Sequence, residues 1–184
     1  AQLLEEQDLP PESREYVSAL EHQAEKLRFL IDALVKTSRL ESGVLAMTPK
    51  RHGIQQLLDT ASAQAAPGAE AKAITLTVEP TDLTARFDPK WTAEALYNLV
   101  DNAVKYTPAG GAVTLRAVGY ELFCRVDVTD TGPGIPESEQ ARIFQRFYRS
   151  PSASEAEGVG IGLYLARQIA AGQGGYLKVS SRPG

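Results

Sequence analysis

The sequence predicts an α/β sandwich preceded by a long helix, and three observations carry that prediction. A heptad-spaced apolar seam runs from Val17 to Ser38. Short alternating apolar runs at residues 74–78, 113–117 and 122–128 are interleaved with helical segments. Their connections are mixed and do not follow the regular βαβ repeat of a doubly wound sheet.

The seam comes first. Between Glu12 and Glu41, Val17, Leu20, Ala24, Leu27, Ile31, Leu34 and Ser38 recur at alternating spacings of three and four. About 30 residues at roughly 1.5 Å each give a helix of roughly 45 Å, a length suited to a bundle or a dimer. Pro10-Pro11 opens it and Gly43 closes it. Leu3-Leu4, ahead of Asp8-Leu9-Pro10-Pro11, reads as the stub of an earlier antiparallel helix, so the segment as a whole is expected to be part of a helical hairpin. A solvent-exposed linker helix is the alternative.

After Pro49 a helix is predicted at Ile54–Ala63, ended by Pro67-Gly68, and then a half-buried strand through Ile74, Leu76 and Val78. Asp88 is an N-cap with Pro89 at the first helical position, and that helix runs to about Tyr106. Val113, Leu115 and Ala117 alternate in one strand, and Leu122, Cys124, Val126 and Val128 in the next, Leu122–Thr129, with Gly119-Tyr120 suggesting a hairpin between them. A short helix near Glu137–Arg149, a polar loop at Ser150–Glu157, a helix from about Ile161 to Ala171 and a strand at Tyr176–Val179 complete the order.

Composition narrows the function classes. With 43% hydrophobic residues in 184, the chain can bury a core, which excludes wholesale disorder. Its single cysteine, Cys124, excludes an intrachain disulfide and a cysteine-based zinc site and fits a reducing, cytosolic compartment. No apolar run approaches the roughly 18 residues of a membrane span, so no direct membrane contact is expected. The 19 basic residues are scattered and outnumbered by 23 acidic ones, which argues against nucleic-acid binding. An opening at Ala1 without methionine and an ending at Ser181-Arg182-Pro183-Gly184 lead us to expect a piece of a longer protein.

Four segments carry chemistry. In Asn98-Leu99-Val100-Asp101-Asn102-Ala103-Val104-Lys105-Tyr106, Asn98, Asn102 and Lys105 fall at i, i+4 and i+7 on one helix face. Two carboxamides and an ammonium there suit a magnesium ion and phosphate oxygens, although the same residues equally suit a helix's wet side. Asp130-Thr131-Gly132-Pro133-Gly134-Ile135-Pro136 follows a strand. A carboxylate at a strand end can accept from an exocyclic amine such as that of adenine, and the glycines let backbone approach a flat ring; a plain turn is the alternative. Asp-Thr-Gly also opens the aspartic-protease motif, but the following Pro-Gly-Ile-Pro and the lack of a second such segment speak against it.

The third segment is Ile143-Phe144-Gln145-Arg146-Phe147-Tyr148-Arg149, whose phenylalanines suit a core and whose Arg149 suits a γ-phosphate. The fourth, Gly158-Val159-Gly160-Ile161-Gly162-Leu163, places three glycines before a helix, where exposed amides attract anions. It is neither a dinucleotide fingerprint, lacking a βαβ unit, nor a P-loop, lacking Gly-Lys-Ser/Thr.

In this order and spacing the four segments resemble the N, G1, F and G2 boxes of the sensor histidine kinases, and Thr37-Ser38-Arg39-Leu40-Glu41-Ser42-Gly43 is similar to the second helix of that family's dimerisation hairpin. The resemblance implies a Bergerat-type two-layer sandwich that binds ATP and Mg2+. It implies magnesium at Asn102 and Asn98, phosphate and ribose-adenine contacts from Lys105 and Tyr106, the adenine amine at Asp130, and ring surroundings at Gly132 and Gly134. Arg149 takes the γ-phosphate, Gly158, Gly160 and Gly162 form a flexible lid, and Ile135, Tyr148 and Leu163 join the nucleotide-binding set. Lys105 and Arg149 are the expected catalytic pair.

The resemblance further implies autophosphorylation on a histidine, transfer to the aspartate of a response-regulator receiver domain, a homodimer through the hairpin, and a cytoplasmic place in a membrane-anchored bacterial sensor. Expected boundaries are 1–47 for a partial hairpin and 48–184 for the ATP-binding domain, lacking its final strand. Asn98 stands where hydrolytic relatives carry a glutamate, and a carboxamide is no general base, which favours histidine transfer over hydrolysis. His22 and His52, the only histidines, lack the acceptor context, so the chain is expected not to label itself. A nucleotide-binding module without kinase activity and a hydrolytic ATPase are the alternatives.

Overall fold

A computed structural model describes residues 10–41, 47–150 and 159–183. Helix α1, Pro11–Glu41, is followed by β1 (Lys50–Gly53), α2 (Ile54–Ala71), β2 (Thr75–Val78), β3 (Thr84–Phe87), α3 (Pro89–Tyr106), β4 (Ala112–Gly119), β5 (Cys124–Asp130), α4 (Glu137–Gln140) and α5 (Gly162–Gly172). The expected class holds: helices cover a mixed sheet, with a long helix ahead of them.

Strand order in the three-stranded sheet is β2-β4-β5, β2 parallel to β4 and β5 antiparallel to it. The hairpin between β4 and β5 closes with the Tyr120 amide donating to the Phe123 carbonyl at 2.9 Å. Val113 and Leu115 alternate onto the buried face of β4. Against them α2 lays Leu57, Leu58 and Ala61, and α3 lays Val100 and Val104, forming the larger core. A second cluster joins Trp91 and Ala95 of α3 to Leu165, Ala166 and Ile169 of α5, with Met47, Leu99 and Leu177 at its edge.

Helix α1 extends about 45 Å at its 31 residues. Its seam residues Leu20, Leu27, Ile31 and Leu34 are 69%, 58%, 52% and 47% exposed. A different side of the helix meets the rest of the chain, where Lys36 donates to Glu94 Oε1 of α3 at 2.6 Å. The Leu3-Leu4 stub, Gly43 and most of the polar loop lie outside the described residues.

Several element boundaries differ from expectation. Pro67 does not end α2, which continues to Ala71 because Ala65 and Ala69 extend its buried face; the proline forfeits only the bond its N–H would make to Ala63. Strands β1 and β3 were not expected. They pair antiparallel as a short ribbon, Lys50 opposite Phe87 and Gly53 opposite Thr84, and a four-residue pattern rich in Arg and Lys carries no strand signal. Helix is confined to Glu137–Gln140 in the 137–149 segment, and turns follow. Tyr176–Val179 enters no sheet among the described residues.

Candidate functional site

Helix α3 is fixed at both ends. At its start Asp88 accepts from the Trp91 amide at 3.1 Å and from the Thr48 amide at 2.9 Å, and its own amide donates to Gln173 Oε1 at 2.6 Å. Burial acts to raise the Asp88 carboxyl, but hydrogen bonds from the amides of Thr48, Trp91 and Lys90 and from the Thr48 hydroxyl outweigh it and hold the group below 3.8. At the other end Pro108 carries no N–H for the Val104 carbonyl. Lys72 of the α2 terminus supplies the donor instead, reaching Val104 O at 2.9 Å and Lys105 O at 2.8 Å.

Along the exposed side of α3 the two asparagines are oriented by their own helix. Asn98 Nδ2 donates to Glu94 O at 2.8 Å and Asn102 Nδ2 donates to Asn98 O at 2.7 Å. With each Nδ2 donating to the preceding turn, each carboxamide keeps its Oδ1 as an acceptor. Gly162, the first residue of α5, lies directly over them: a Cβ there would stand 2.8 Å from Asn98 Oδ1. The first and fourth sequence segments are thus separated by about sixty residues in the chain and adjacent in space.

Asp130 ends β5 and accepts from the Gly132 amide at 2.9 Å through Oδ1. Gly132 lies against the backbone of Tyr106, so the carboxylate is brought to the end of α3. Ile135 and Gly134 meet the C-terminal segment; the Ile135 amide donates to Ser181 Oγ at 2.8 Å, and Gly134 touches Arg182. The Phe147 amide donates to Gly160 O at 2.9 Å, tying the third segment to the fourth. Gly160 has φ +74°, and a Cβ would press on the Tyr148 carbonyl, so glycine is required twice over there.

Not every expected residue gathers in one place. Lys105 and Tyr106 are half-buried at the end of α3, Tyr148 and Leu163 are half-buried near Gly160 and Gly162, and Arg149 is exposed beyond Tyr148. Gly158 lies outside the described residues. His52 packs its ring 5.4 Å from that of Phe87 in the β1–β3 ribbon, away from these segments. A groove of about 440 Å³ lined by Phe144, Arg167, Tyr176 and Leu177 opens between the third segment and α5, apart from Asn98 and Asp130.

The neighbours of Lys105 set its electrostatics. Asp101, one turn earlier and at the surface, is raised above 3.8 by desolvation, against the opposing Lys105 charge and a hydrogen bond from Tyr97. Tyr97 is raised above 10 by burial and by the charges of Asp101 and Glu94. Lys36, Lys72 and Gln173 all act on α3 and none was singled out from the sequence, because isolated Lys and Gln carry no local signature of contacts 32 to 85 residues away.

No cluster of three or more His, Cys, Asp or Glu side chains able to hold a metal occurs among the described residues. A cation at Asn98 and Asn102 would therefore rest on amide oxygens and on what a ligand brings. That donor set fits magnesium, a hard cation that keeps several waters and binds with nucleotide phosphates.

A capped helix presenting amide oxygens, a strand-end carboxylate at its far end and a glycine-led helix across it define a nucleotide-binding α/β sandwich of the ATPase type. Residues 87–184 match the family model for histidine kinase-, DNA gyrase B- and HSP90-like ATPases, and the chain belongs to that family. Within it the chain stands with the sensor histidine kinases. It is 33% identical over 182 residues to the circadian input-output histidine kinase CikA of Synechococcus elongatus, covering 96% of this chain and 24% of that protein. It is 34% identical over 187 residues to the sensor protein DivL of Caulobacter vibrioides, covering 100% and 24%. The chain therefore spans about a quarter of the length of these relatives.

Among solved structures, full-length ShkA in complex with AMPPNP superposes with a TM-score of 0.82 at 30% identity, covering 99% of this chain and 38% of that one. ThkA in complex with the response regulator TrrA, at 20% identity and a TM-score of 0.75 over 96% of this chain and 49% of that one, shares the fold. No helix among the described residues is long and apolar enough to cross a membrane.

Proposed function

We propose that the chain is the nucleotide-binding core of a sensor histidine kinase, with residues 1–47 from its dimerisation hairpin and 48–184 from its ATP-binding domain. The carrying observation is the pair of carboxamides of Asn98 and Asn102, held on one face of α3 by back-bonds from their Nδ2 atoms, with Gly162 set against Asn98 Oδ1. Magnesium held there would neutralise charge on the ATP phosphates. Asp130 Oδ2 accepts from the adenine amine, Gly132, Gly134 and Ile135 flank the ring, and Tyr106 meets the ribose edge. Lys105 and Arg149 meet the phosphates, and Gly158, Gly160, Gly162, Leu163 and Tyr148 shape the lid.

Positioning and charge neutralisation are the protein's contribution to phosphoryl transfer. The transfer breaks the bond from the γ-phosphorus to the bridging oxygen and forms one to a histidine nitrogen. Neither His22 nor His52 has the sequence context of an acceptor, so the acceptor is a histidine of a dimerisation hairpin, and an aspartate of a receiver domain takes the phosphoryl next. The exposed seam of α1 supports a homodimer through the hairpin, and the bacterial sensor proteins among the relatives support a bacterial sensor as the setting, its cytoplasmic, membrane-anchored form being part of the same proposal.

Calorimetric titration with Mg·ADP tests the reading. The parent should bind at micromolar concentration and Asp130→Asn should lose at least about 30-fold, the scale of a buried charge-assisted hydrogen bond. Equal binding by both proteins, or none by a folded parent, removes adenine from Asp130 and sinks the assignment.

A further inference from the structure

The end of α3 has an unusual requirement. Val104 and Lys105 lie in its last turn, where helix carbonyls have no intrahelical donor. Position 108, which would ordinarily donate to Val104 O, is a proline. Thr107 is occupied elsewhere, its amide and hydroxyl both going to Ala103 O at 3.0 and 2.7 Å.

Lys72 meets the requirement from another element. Its ammonium spans both orphan carbonyls at 2.9 and 2.8 Å, and its own carbonyl accepts from the Gly110 amide at 3.0 Å. Side chain and main chain together clamp the last turn of α3 and the loop that follows it. The ammonium also stands at the helix C-terminus, whose partial negative charge would otherwise face a polyanion bound at Lys105.

We infer that Lys72 is a positioning residue for the phosphate-binding end of the site: by holding the backbone carbonyls of Val104 and Lys105, it sets the direction in which the Lys105 side chain projects. This rests on the nucleotide reading above and adds to it a residue that touches no nucleotide. A lysine is suited to the task because three donors on a flexible stem can reach two carbonyls at once.

The test compares Mg·ADP, by calorimetry, with adenosine, by NMR titration, on the whole chain. Lys72→Met should weaken Mg·ADP about tenfold and adenosine less than about twofold, because the displaced group is the phosphate-binding Lys105. Lys72→Arg, which keeps charge and donors, should recover Mg·ADP affinity to within about threefold of the parent. Should Lys72→Met lack a cooperative melt, Lys72→Gln, which keeps one donor group, is expected to show the same phosphate-selective loss. Unchanged Mg·ADP affinity in a folded variant overturns the inference, and so does an equal loss for both ligands, which would mark Lys72 as a purely structural cap. A folded parent that binds adenosine but not Mg·ADP overturns it too, while one that binds neither brings down the nucleotide reading itself.

Discussion

Gly162 and Asn98 are in contact across the helix pair α3–α5, with Asn98 Oδ1 2.8 Å from where a glycine-to-alanine Cβ would stand. Asn98 can move away only by giving up the hydrogen bond from its Nδ2 to Glu94 O. Gly162→Ala should therefore turn the asparagine and weaken Mg·ADP about tenfold. Gly162 is the first residue of α5, where the helix-interior preference for alanine does not offset the clash, so the melting temperature should fall slightly. Calorimetry and a thermal melt on one preparation check both halves.

Asp88 predicts an acid limit to stability. Its carboxyl is held below its unfolded value, so its contribution is complete above about pH 4 and is lost as the pH falls through the folded value. Asp88→Ala should cost about 2 kcal/mol at pH 7, for the loss of an N-cap and of the Thr48 contact together. Urea midpoints from pH 2 to 7 should show the parent's stability converging on the variant's at the acid end.

For Asp101 the direction is reversed. Its folded carboxyl is raised, so the stability linked to it is present at pH values below the unfolded 3.8 and falls as the pH rises through the folded value. Asp101→Asn should lose nothing at pH 7 and should flatten the dependence between pH 3 and 7. A clear destabilisation at pH 7 would show that attraction to Lys105 outweighs desolvation.

Ala73 follows α2 with φ +51°, a left-handed position that glycine occupies with less strain. Ala73→Gly should stabilise by about 0.5 kcal/mol after the entropy of a freer unfolded chain is subtracted. Chemical denaturation at constant m-value is the measurement.

Exposure of Leu27 and Ile31 predicts self-association through α1. Leu27→Glu with Ile31→Glu should sediment as a monomer at concentrations where the parent dimerises, with the melt of the α/β part unchanged.

What the sequence discloses here follows from the range of the interactions. Asp88-Pro89 marks the start of α3 because capping acts over three residues, and the seam of α1 is legible because it repeats for thirty. The four segments were legible through their residue types, and their adjacency, Gly162 on Asn98 and Gly132 on Tyr106, emerges only in the fold. Pro67 misled because burial of Ala65 and Ala69 outweighs one forfeited hydrogen bond, and β1 and β3 stayed hidden because each is stabilised chiefly by the other. The grip of Lys72 on a helix end 32 residues later has no local sign at all.

The division of the interior into two clusters gives the molecule two melting neighbourhoods that share a wall. Helix α3 belongs to both, while the buried anchor of α5 is the smaller cluster, Leu165, Ala166 and Ile169 against Trp91 and Ala95. Opening of α5 exposes the smaller cluster and leaves the sheet, α2 and α3 sealed, so its amides should exchange with deuterium well before those of Val100 or Val113. A ligand that closes the glycine-led end of α5 onto Asn98 would then be felt first as slowed exchange along one short helix, in a protein whose global unfolding has scarcely moved.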